Sequence, residues 1–383
     1  MSHAAGAASA NALAVPLFIG SEIYRFSGYG PAHPLRVPRV STVIDLARAM
    51  GWFGPDQYRN SPQAKAGALQ LWHDPDYIEA LRCAETLTRS GSPLPQEMQA
   101  RFGLGTLSNP AFPEMFRRPA TGAGGVMLAA ELLKDGGAVH VPGGGTHHGL
   151  KARANGFCYL NDVVLGMLVM RRAGIRRIAY VDIDAHHCDG VEAAFRGDDN
   201  TLLMSIHEQG RWPFSGLLDD DGGGNAFNLP VPPQFNDTEM RAALELVILP
   251  RVAGFAPDAV ILQCGADALA EDPLSRLALS NNAHRAVARA LRPLSPRFLL
   301  LGGGGYNPWS VGRLWAALWA DLAGYEVPDV LPPDAESVLR RLSWNGGHRQ
   351  VPGEAVMTTL ADPPREGPVS AEVALRIRRL AAR

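Results

Sequence analysis

Cysteine, unbalanced charge and long apolar runs are all scarce in this chain of 383 residues. The four cysteines lie far apart and none belongs to a CxxC pair, which argues against a disulfide framework or a zinc site made of cysteine alone. The 36 basic and 38 acidic side chains nearly cancel, so the net charge of −2 gives no electrostatic reason to bind nucleic acid or an anionic membrane. No stretch is long enough to cross a bilayer, and the first residues lack the basic segment of a secretory leader. We therefore expect a cytoplasmic protein.

Hydrophobic residues make up 46% of the chain and are grouped in short continuous runs separated by helical patterns. Such runs are typical of parallel strands buried on both faces, and their alternation with helices indicates an α/β fold. We predict a single large domain, residues 14–328, built on a mostly parallel open sheet with helices on both faces. A disordered start, 1–13, and a C-terminal extension, 329–383, flank it. The predicted strands are Val15–Ile19, Ala138–Val141, Arg177–Asp184, Thr201–Ile206, Asp258–Cys264 and Arg297–Leu301.

Capping residues and glycines mark the ends of several helices. Residues 91–113 are interpreted as one long loop. The predicted helices begin at Asp74-Pro75, run from about Thr121 to Lys134, follow Asn161 as far as Gly174, and extend from an Asp237 cap to near Gly254.

The C-terminal extension ends in a short basic helix that follows a proline-rich linker. Val373, Ile377 and Leu380 form an apolar stripe along it. A terminal helix normally needs a surface to bury against, so we expect this stripe to pack on the chain's own core. A contact between subunits of a homo-oligomer is the alternative.

Ionisable residues follow the predicted strand at 177–184. Asp182, Asp184 and His186 are spaced two residues apart, so they share one side while the strand lasts. They also lie at its carboxyl end, where open α/β sheets bind ligands. Burying three such groups is costly unless something compensates, and a metal ion would do so. The alternative is that these carboxylates cap helices or form ion pairs.

A second apolar strand, predicted at 258–264, delivers Asp267 just past its end. Together with Asp184 and His186 it would form a site of one imidazole and two carboxylates. Three protein ligands leave a position open for water or substrate, as in catalytic zinc sites, and the same donors suit Fe(II). Gly265 and Leu269 stand where a second metal would need a carboxylate, so a single metal is predicted. Capping of the next helix is the alternative role for Asp267.

Two glycine-rich segments complete the pattern. A strand ending in three glycines delivers His147 and His148, which can serve as a proton-transfer pair if carboxylates such as Asp182 and Asp189 orient them. Another strand enters four glycines and then Tyr306, whose phenol suits an oxyanion donor. Two loop histidines without a role and a plain tight turn are the alternatives.

Taken in order, these segments resemble the zinc-dependent histone deacetylase superfamily, with its arginase-like fold, and within it the bacterial acetoin-utilization deacetylases. The resemblance runs from about Ile19 to Leu322 and is carried by HPLRVPR, LWHDPDYIEAL, GGGTHHG, GFCYLNDVVLG, YVDIDAHHCDGVEAAF, GADALAEDPL and LGGGGYN.

The resemblance implies a role for each matching residue. His147 would be the general base oriented by Asp182, and His148, oriented by Asp189, would protonate the leaving amine. Asp184, His186 and Asp267 would bind zinc, Tyr306 would hydrogen-bond the carbonyl, and Gly156, Phe157 and Phe214 would line the substrate tunnel. A structural potassium ion is also implied, with ligands that include Asp182, Ser205 and the backbone carbonyls of Asp184, His186 and Ile206.

Three positions depart from the family pattern. Ser108 replaces a rim aspartate that holds the substrate backbone, so peptide anchoring would differ. Leu274 occupies the place of an acidic gatekeeper in polyamine-selective relatives, which speaks against a cationic polyamine. Cys188 replaces a glycine after the two histidines. The expected substrate is an acylated lysine in a protein or peptide, with a small acylated amine or polyamine as the alternative. A non-catalytic acyl-lysine binder is disfavoured because every expected catalytic residue is present.

Overall fold

The computed structural model describes residues 15–30, 32–344 and 352–383, so the predicted start at residues 1–13 lies outside it. Within these ranges one sheet of eight parallel strands runs in the order β2-β1-β3-β8-β7-β4-β5-β6. This confirms the predicted parallel α/β architecture. The strands are β1 Leu17–Gly20, β2 Tyr58–Asn60, β3 Gly137–Val141, β4 Ile178–Asp182, β5 Thr201–Glu208, β6 Ala226–Val231, β7 Ala259–Gln263 and β8 Arg297–Leu301.

Two hydrophobic layers cover the sheet. Successive residues of one strand point to opposite faces. Val181 and Leu262 therefore join the core beneath the helix Pro308–Ala323, while Tyr180 and Ile261 join the core beneath the helices Arg117–Leu132 and Asp162–Arg172. The helices are α1 Ile23–Phe26, α2 Val40–Ala49, α3 Ala66–Leu69, α4 Pro75–Arg89, α5 Gln96–Phe102, α6 Arg117–Leu132, α7 Asp162–Arg172, α8 Asp189–Phe195, α9 Asp237–Ala243, α10 Leu249–Phe255, α11 Asn281–Leu291, α12 Pro308–Ala323, α13 Pro333–Arg340, α14 Glu354–Thr358 and α15 Ala371–Ala381.

The sequence pattern missed the two edge strands. β2 is three residues long and polar, and β6 contains Asn228 and Pro230, which weaken a strand pattern. Both occupy edges, where short strands and proline are tolerated. β1 begins at Leu17, two residues later than predicted.

Two predictions about helices are corrected. The predicted loop at 91–113 contains α5, which ends at a left-handed Gly103. The cap before α9 is Asn236, whose side chain accepts hydrogen bonds from the amides of Thr238 and Glu239, so Asp237 is the first helical residue. A π turn, Leu244–Ile248, joins α9 to α10. Among the described helices, none has both the length and the apolar character needed to cross a bilayer.

The terminal helix α15 packs on the domain itself. Val373, Ile377 and Leu380 are buried in the same core as α12, and Arg251 donates a hydrogen bond of 2.9 Å to the Leu380 carbonyl.

Ile377→Ala is expected to lower the free energy of unfolding by about 2–5 kcal/mol, because the cavity left under α15 cannot be refilled. Leu375→Ala on the same helix is the control, since Leu375 is 53% exposed and should change stability little. Denaturant unfolding of both variants provides the measurement. Equal stabilities would contradict the packing of α15.

Parallel strand order determines where the polar segments meet. The four central neighbours β3, β8, β7 and β4 all end at the same edge of the sheet. The segments that follow them carry His147, Tyr306, Asp267 and Asp184 respectively. Residues separated by more than 100 positions in the chain are therefore brought to one place by topology alone.

Candidate active site

Asp184, His186 and Asp267 form one cluster whose potential ligand atoms all lie within 4.8 Å of one another. His186 Nδ1 lies 3.0 Å from Asp267 Oδ2 and 3.3 Å from Asp184 Oδ1. The second oxygens are held by backbone amides: Ala185 N–H donates to Asp267 Oδ1, and Gly304 N–H donates to Asp184 Oδ2. The backbone thus fixes both carboxylates and leaves one oxygen of each directed at the imidazole.

The cluster has the electrostatics of a cation site. Asp184 and Asp267 are completely buried, and two like charges so close together raise the free energy of folding unless a positive charge compensates. Burial and the neighbouring Asp184 raise the pKa of Asp267. Burial opposes charge on His186, but both carboxylates outweigh it and raise its pKa to about 10. A divalent cation fits this donor set of one nitrogen and two oxygens.

Glycines make room for the cluster. A Cβ at Gly304 would lie 2.0 Å from Asp267 Oδ2, and one at Gly265 would lie 2.1 Å from Asp184 Oδ2. Both distances are far below van der Waals contact. The glycine run before Tyr306, for which a plain tight turn was the alternative, therefore acts together with Gly265 as a close backbone wall around the carboxylates.

Gly304→Ala is expected to reduce metal affinity at least tenfold and turnover about 100-fold, since a shift of about 1 Å in a reactive group can have that effect. Gly254→Ala is the matched control, because the added Cβ meets no heavy atom within 4 Å apart from its chain neighbours and the backbone of its own helix. Metal titration and kcat of both variants test this. Wild-type metal affinity in Gly304→Ala would contradict the steric argument.

His147 is completely buried next to the cluster. Its Nδ1 lies 2.7 Å from Asp182 Oδ2, which leaves Nε2, 3.8 Å from Asp184 Oδ1, facing the cluster. Tyr180 donates a hydrogen bond of 2.5 Å to the same Asp182 oxygen. Burial disfavours charge on His147, but Asp182 and Asp184 outweigh it and raise its pKa to about 9. A cation bound by Asp184 would weaken that carboxylate's effect and favour the neutral form that accepts a proton.

His148 is oriented in the same way by a different carboxylate. Its Nδ1 lies 2.7 Å from Asp189 Oδ1, and Asn155 fixes the other oxygen of Asp189 at 3.0 Å. The ring centroids of His147 and His148 are 3.9 Å apart. Trp212 packs edge-on against His148, with a centroid distance of 4.6 Å. Burial and the charge of His147 lower the pKa of His148 to about 4. The tandem histidines therefore face the cluster as a pair with contrasting proton affinities.

The loop that carries this pair is fixed by the start of α7. Asp162 Oδ1 accepts hydrogen bonds from the amides of Gly145 and Thr146 at 3.0 and 2.9 Å. Asn161 caps α7 with its oxygen and donates its amide to the carbonyls of His147 and Gly149. One short sequence, Asn161-Asp162, thus begins a helix and holds the histidine loop.

Tyr306 follows the glycine run and lies opposite the histidines. Its backbone N–H donates to Asp272 Oδ2 at 2.7 Å, and its ring packs edge-on against Phe157. Its hydroxyl has no hydrogen-bond partner among the described residues, while the side chain lines the cavity above the cluster. Burial raises its pKa, so the hydroxyl stays protonated and can donate. An unengaged phenol beside a cation site is suited to bind an oxygen of a substrate.

A cavity of about 540 Å³ leads to the cluster. Its walls include all five predicted tunnel residues, but Phe214 is 71% exposed and therefore belongs to the rim. The aromatic part of the wall includes Phe157, Trp212 and Tyr306. The predicted tunnel residues in the lining are Ser108, Gly156, Phe157, Phe214 and Leu274.

The predicted potassium ligands lie on the neighbouring strands β4 and β5 and, for Asp184 and His186, in the segment that follows β4. Asp182 and Ser205 are paired in register across β4 and β5, and Ser205 Oγ lies 2.9 Å from His207 Nδ1. Ile206 follows directly in β5 and is buried. A potassium ion on these residues stays a prediction. Cys188 is buried beside Ser205, and burial raises the pKa of its thiol, which makes it a poor nucleophile.

Sequence reasoning missed several residues that shape the site. Arg39, within the quoted HPLRVPR, donates a hydrogen bond of 2.7 Å to the Gly303 carbonyl and thereby braces the glycine run. Gln263 contacts both Tyr180 and His147 at the end of β7. Gln263 could have been found from the sequence, because it is a polar residue in an otherwise apolar predicted strand. Trp212 gave no signal, because its position depends on the tertiary fold of a loop.

The fold and the site together define a hydrolase of the histone deacetylase family. The family model described as the Histone deacetylase domain matches residues 33–322, and the chain belongs to this family. This confirms the assignment made from the ordered motifs.

Relatives of known name align with most of this chain. It is 32% identical over 332 residues to the acetoin utilization protein AcuC of Bacillus subtilis, covering 83% of this chain and 84% of AcuC. It is 33% identical over 311 residues to human histone deacetylase 1, covering 79% of this chain but only 64% of that protein. A crystal structure of a histone deacetylase homologue from Aquifex aeolicus superimposes with a TM-score of 0.90 at 35% identity, covering 96% of this chain and all of that one. A crystal structure of such a homologue complexed with SAHA gives the same values.

Proposed function

We propose that this deacetylase is a zinc-dependent amidohydrolase that removes acetyl or related acyl groups from lysine side chains. The observation that carries the proposal is the convergence of the Asp184–His186–Asp267 cluster, two carboxylate-oriented histidines and a free tyrosine hydroxyl at the end of one cavity. Family membership supports deacetylase chemistry, and the geometry supports assigning its steps to these groups.

The metal is assigned from the donor set. Asp184, His186 and Asp267 would hold Zn²⁺, with Fe²⁺ as the alternative for the same nitrogen and oxygen ligands. When bound, such an ion supplies a water of lowered pKa and polarises the scissile carbonyl.

The chain's own groups would move the protons. His147, held by Asp182 through Nδ1, presents Nε2 to take a proton from the attacking water. His148, held by Asp189 through Nδ1, presents Nε2 towards the cavity, where it would protonate the leaving amine. Because its lowered pKa leaves it neutral at rest, it would first have to gain that proton, and the proton that His147 takes from the water, with the two rings 3.9 Å apart, would be the source. Tyr306 would donate its hydroxyl proton in a hydrogen bond to the oxygen on which negative charge develops. These roles remain predictions until variants are measured.

The cavity wall favours an acylated lysine over a charged amine. Phe157 and Leu274 line it with apolar surface, which suits the methylene stem of lysine. A deacetylated ammonium group would lose hydration there without gaining a carboxylate partner, because Asp184 and Asp267 are committed to the cation. A small acylated amine is the alternative substrate, and the neutral Ser108 at the rim is the feature that favours it.

Self-association and a cytoplasmic location stay predictions from the sequence.

The test compares deacylation of an acetyl-lysine peptide with that of acetylputrescine. We expect turnover of the peptide to exceed that of the polyamine, to cease with a chelator and to return with Zn²⁺. Turnover that survives chelation would overturn the proposed chemistry. A reversed preference would establish the small-amine alternative.

A further inference from the structure

An arginine at the mouth of the cavity has no assigned role. Arg276 is exposed and lines the same cavity as Phe157, Leu274 and Tyr306. It lies two residues after Leu274, which belongs to the cavity wall, and its exposure places it at the rim. The deacylation chemistry proposed above makes no use of it.

The backbone of Arg276 is fixed, while its guanidinium is free. Its N–H donates to Glu208 Oε2 at 2.8 Å, and its carbonyl accepts from the Gln234 N–H at 2.7 Å. No hydrogen bond or ion pair joins its side chain to any residue within 15–30, 32–344 or 352–383. The chain thus holds a cationic side chain at the mouth without neutralising it.

The remaining charges at the mouth do not compensate. Among the described residues that line this cavity, Glu208 is the one carboxylate, and it is buried. Arg211 neutralises it through two hydrogen bonds, of 2.6 Å from Nε and 2.9 Å from Nη2. Ser108, also in the lining, is neutral. Arg276 therefore gives the mouth one uncompensated positive charge.

We propose that Arg276 is a specificity-determining residue that selects acyl-lysine substrates with a carboxylate beside the acylated side chain. The inference rests on the proposed function and specifies its substrate class. Arginine binds carboxylates through paired, charge-assisted hydrogen bonds, and a fixed backbone lowers the entropy lost in forming them. The carboxylate would come from a flanking aspartate or glutamate in a peptide, or from the α-carboxylate of a free acyl-lysine.

Two substrate pairs distinguish these sources. The first is an acetyl-lysine peptide with glutamate or glutamine next to the acetyl-lysine. The second is free Nε-acetyl-lysine, with its amine blocked, or its carboxamide. The zinc-loaded enzyme is measured as wild type, Arg276→Gln, Arg276→Glu and Arg89→Gln. Arg89 is an exposed arginine at the end of α4 that does not line the cavity, so its variant makes the same charge change elsewhere.

We expect wild type and Arg89→Gln to prefer the carboxylate member of at least one pair by about three- to fivefold in kcat/KM, mainly through KM, at low salt. The ratio should fall to about one in Arg276→Gln, invert in Arg276→Glu, and weaken in about 1 M salt. Dissociation constants of the labelled peptides for Tyr306→Phe, and for Tyr306→Phe combined with Arg276→Gln, provide a readout independent of turnover.

Each outcome has one meaning. A preference in the peptide pair alone identifies a flanking side chain as the source, and one in the second pair alone identifies the α-carboxylate. Turnover of the neutral substrates with ratios near one in wild type, or ratios that survive Arg276→Gln, would overturn the role of Arg276 and leave the proposed function intact. Absence of turnover for every acetyl-lysine substrate would overturn both.

Discussion

Replacing Asp267 with asparagine is expected to remove metal binding and, with it, deacylation. The Ala185 amide donates to Asp267 Oδ1 at 3.0 Å, and the oxygen of an asparagine can still accept that hydrogen bond. The rest of the asparagine side chain would present a neutral group to the cluster in place of a carboxylate. Loss of an outer partner of a metal ligand already lowers affinity 10- to 100-fold. Loss of a charged ligand should therefore lower it by at least about 100-fold. Metal content after dialysis and kcat, expected to fall about 1,000-fold or more, are the measurements.

The same substitution should leave the stability of the chelator-treated protein unchanged or raise it. Asp184 and Asp267 are buried like charges, and their proximity contributes to the raised pKa of Asp267. Removing one charge relieves that repulsion. Zinc should raise the melting temperature of wild type by mass action, but not that of Asp267→Asn.

Asp321→Asn is the control for a largely buried carboxylate outside the site, with 9% of its side chain exposed. Asp321 pairs with Arg285 at 2.7 Å and with Arg289 at 2.6 Å, so its loss should destabilise the fold while metal binding persists. Asp267→Asn that binds zinc as tightly as wild type would exclude Asp267 as a ligand.

The convergence of Asp184, His186 and Asp267 could be predicted from the sequence because each of them lies just after the end of a strand. Asp184 and His186 follow β4, and Asp267 follows β7, so an apolar run followed by ionisable residues identified them. Their convergence required only that the strands be parallel, since parallel strands end at one edge. Specific role assignments came from the family resemblance, because spacing alone left helix capping as an alternative.

The residues that the sequence did not reveal depend on long-range packing. Trp212 contacts His148 only because the loop between β5 and β6 folds back over the histidines. Arg276 gains its place at the mouth through hydrogen bonds to Glu208 and Gln234, which lie more than 40 positions away. Neither contact leaves a periodic or motif signal in a single sequence.

Tyr306→Phe is expected to lower kcat about 100- to 1,000-fold and to change KM little. The hydroxyl would stabilise charge that develops only in the transition state, and loss of one such donor typically has an effect of this size. Stability should be unchanged, because the hydroxyl has no hydrogen-bond partner among the described residues and the phenylalanine ring can keep its contact with Phe157. Steady-state kinetics and thermal unfolding test both parts.

Tyr325→Phe gives the opposite pattern and is the matched control. The Tyr325 hydroxyl donates to Gln57 Oε1 at 2.5 Å and accepts from Gly54 N–H at 3.1 Å, and none of these three residues lines the cavity. Its loss should reduce stability by about 1 kcal/mol and leave kcat unchanged. If Tyr306→Phe instead lost stability and kept its turnover, Tyr306 would be a structural residue. Charge on the substrate oxygen would then have to be stabilised without this phenol, since it is the tyrosine that lines the cavity.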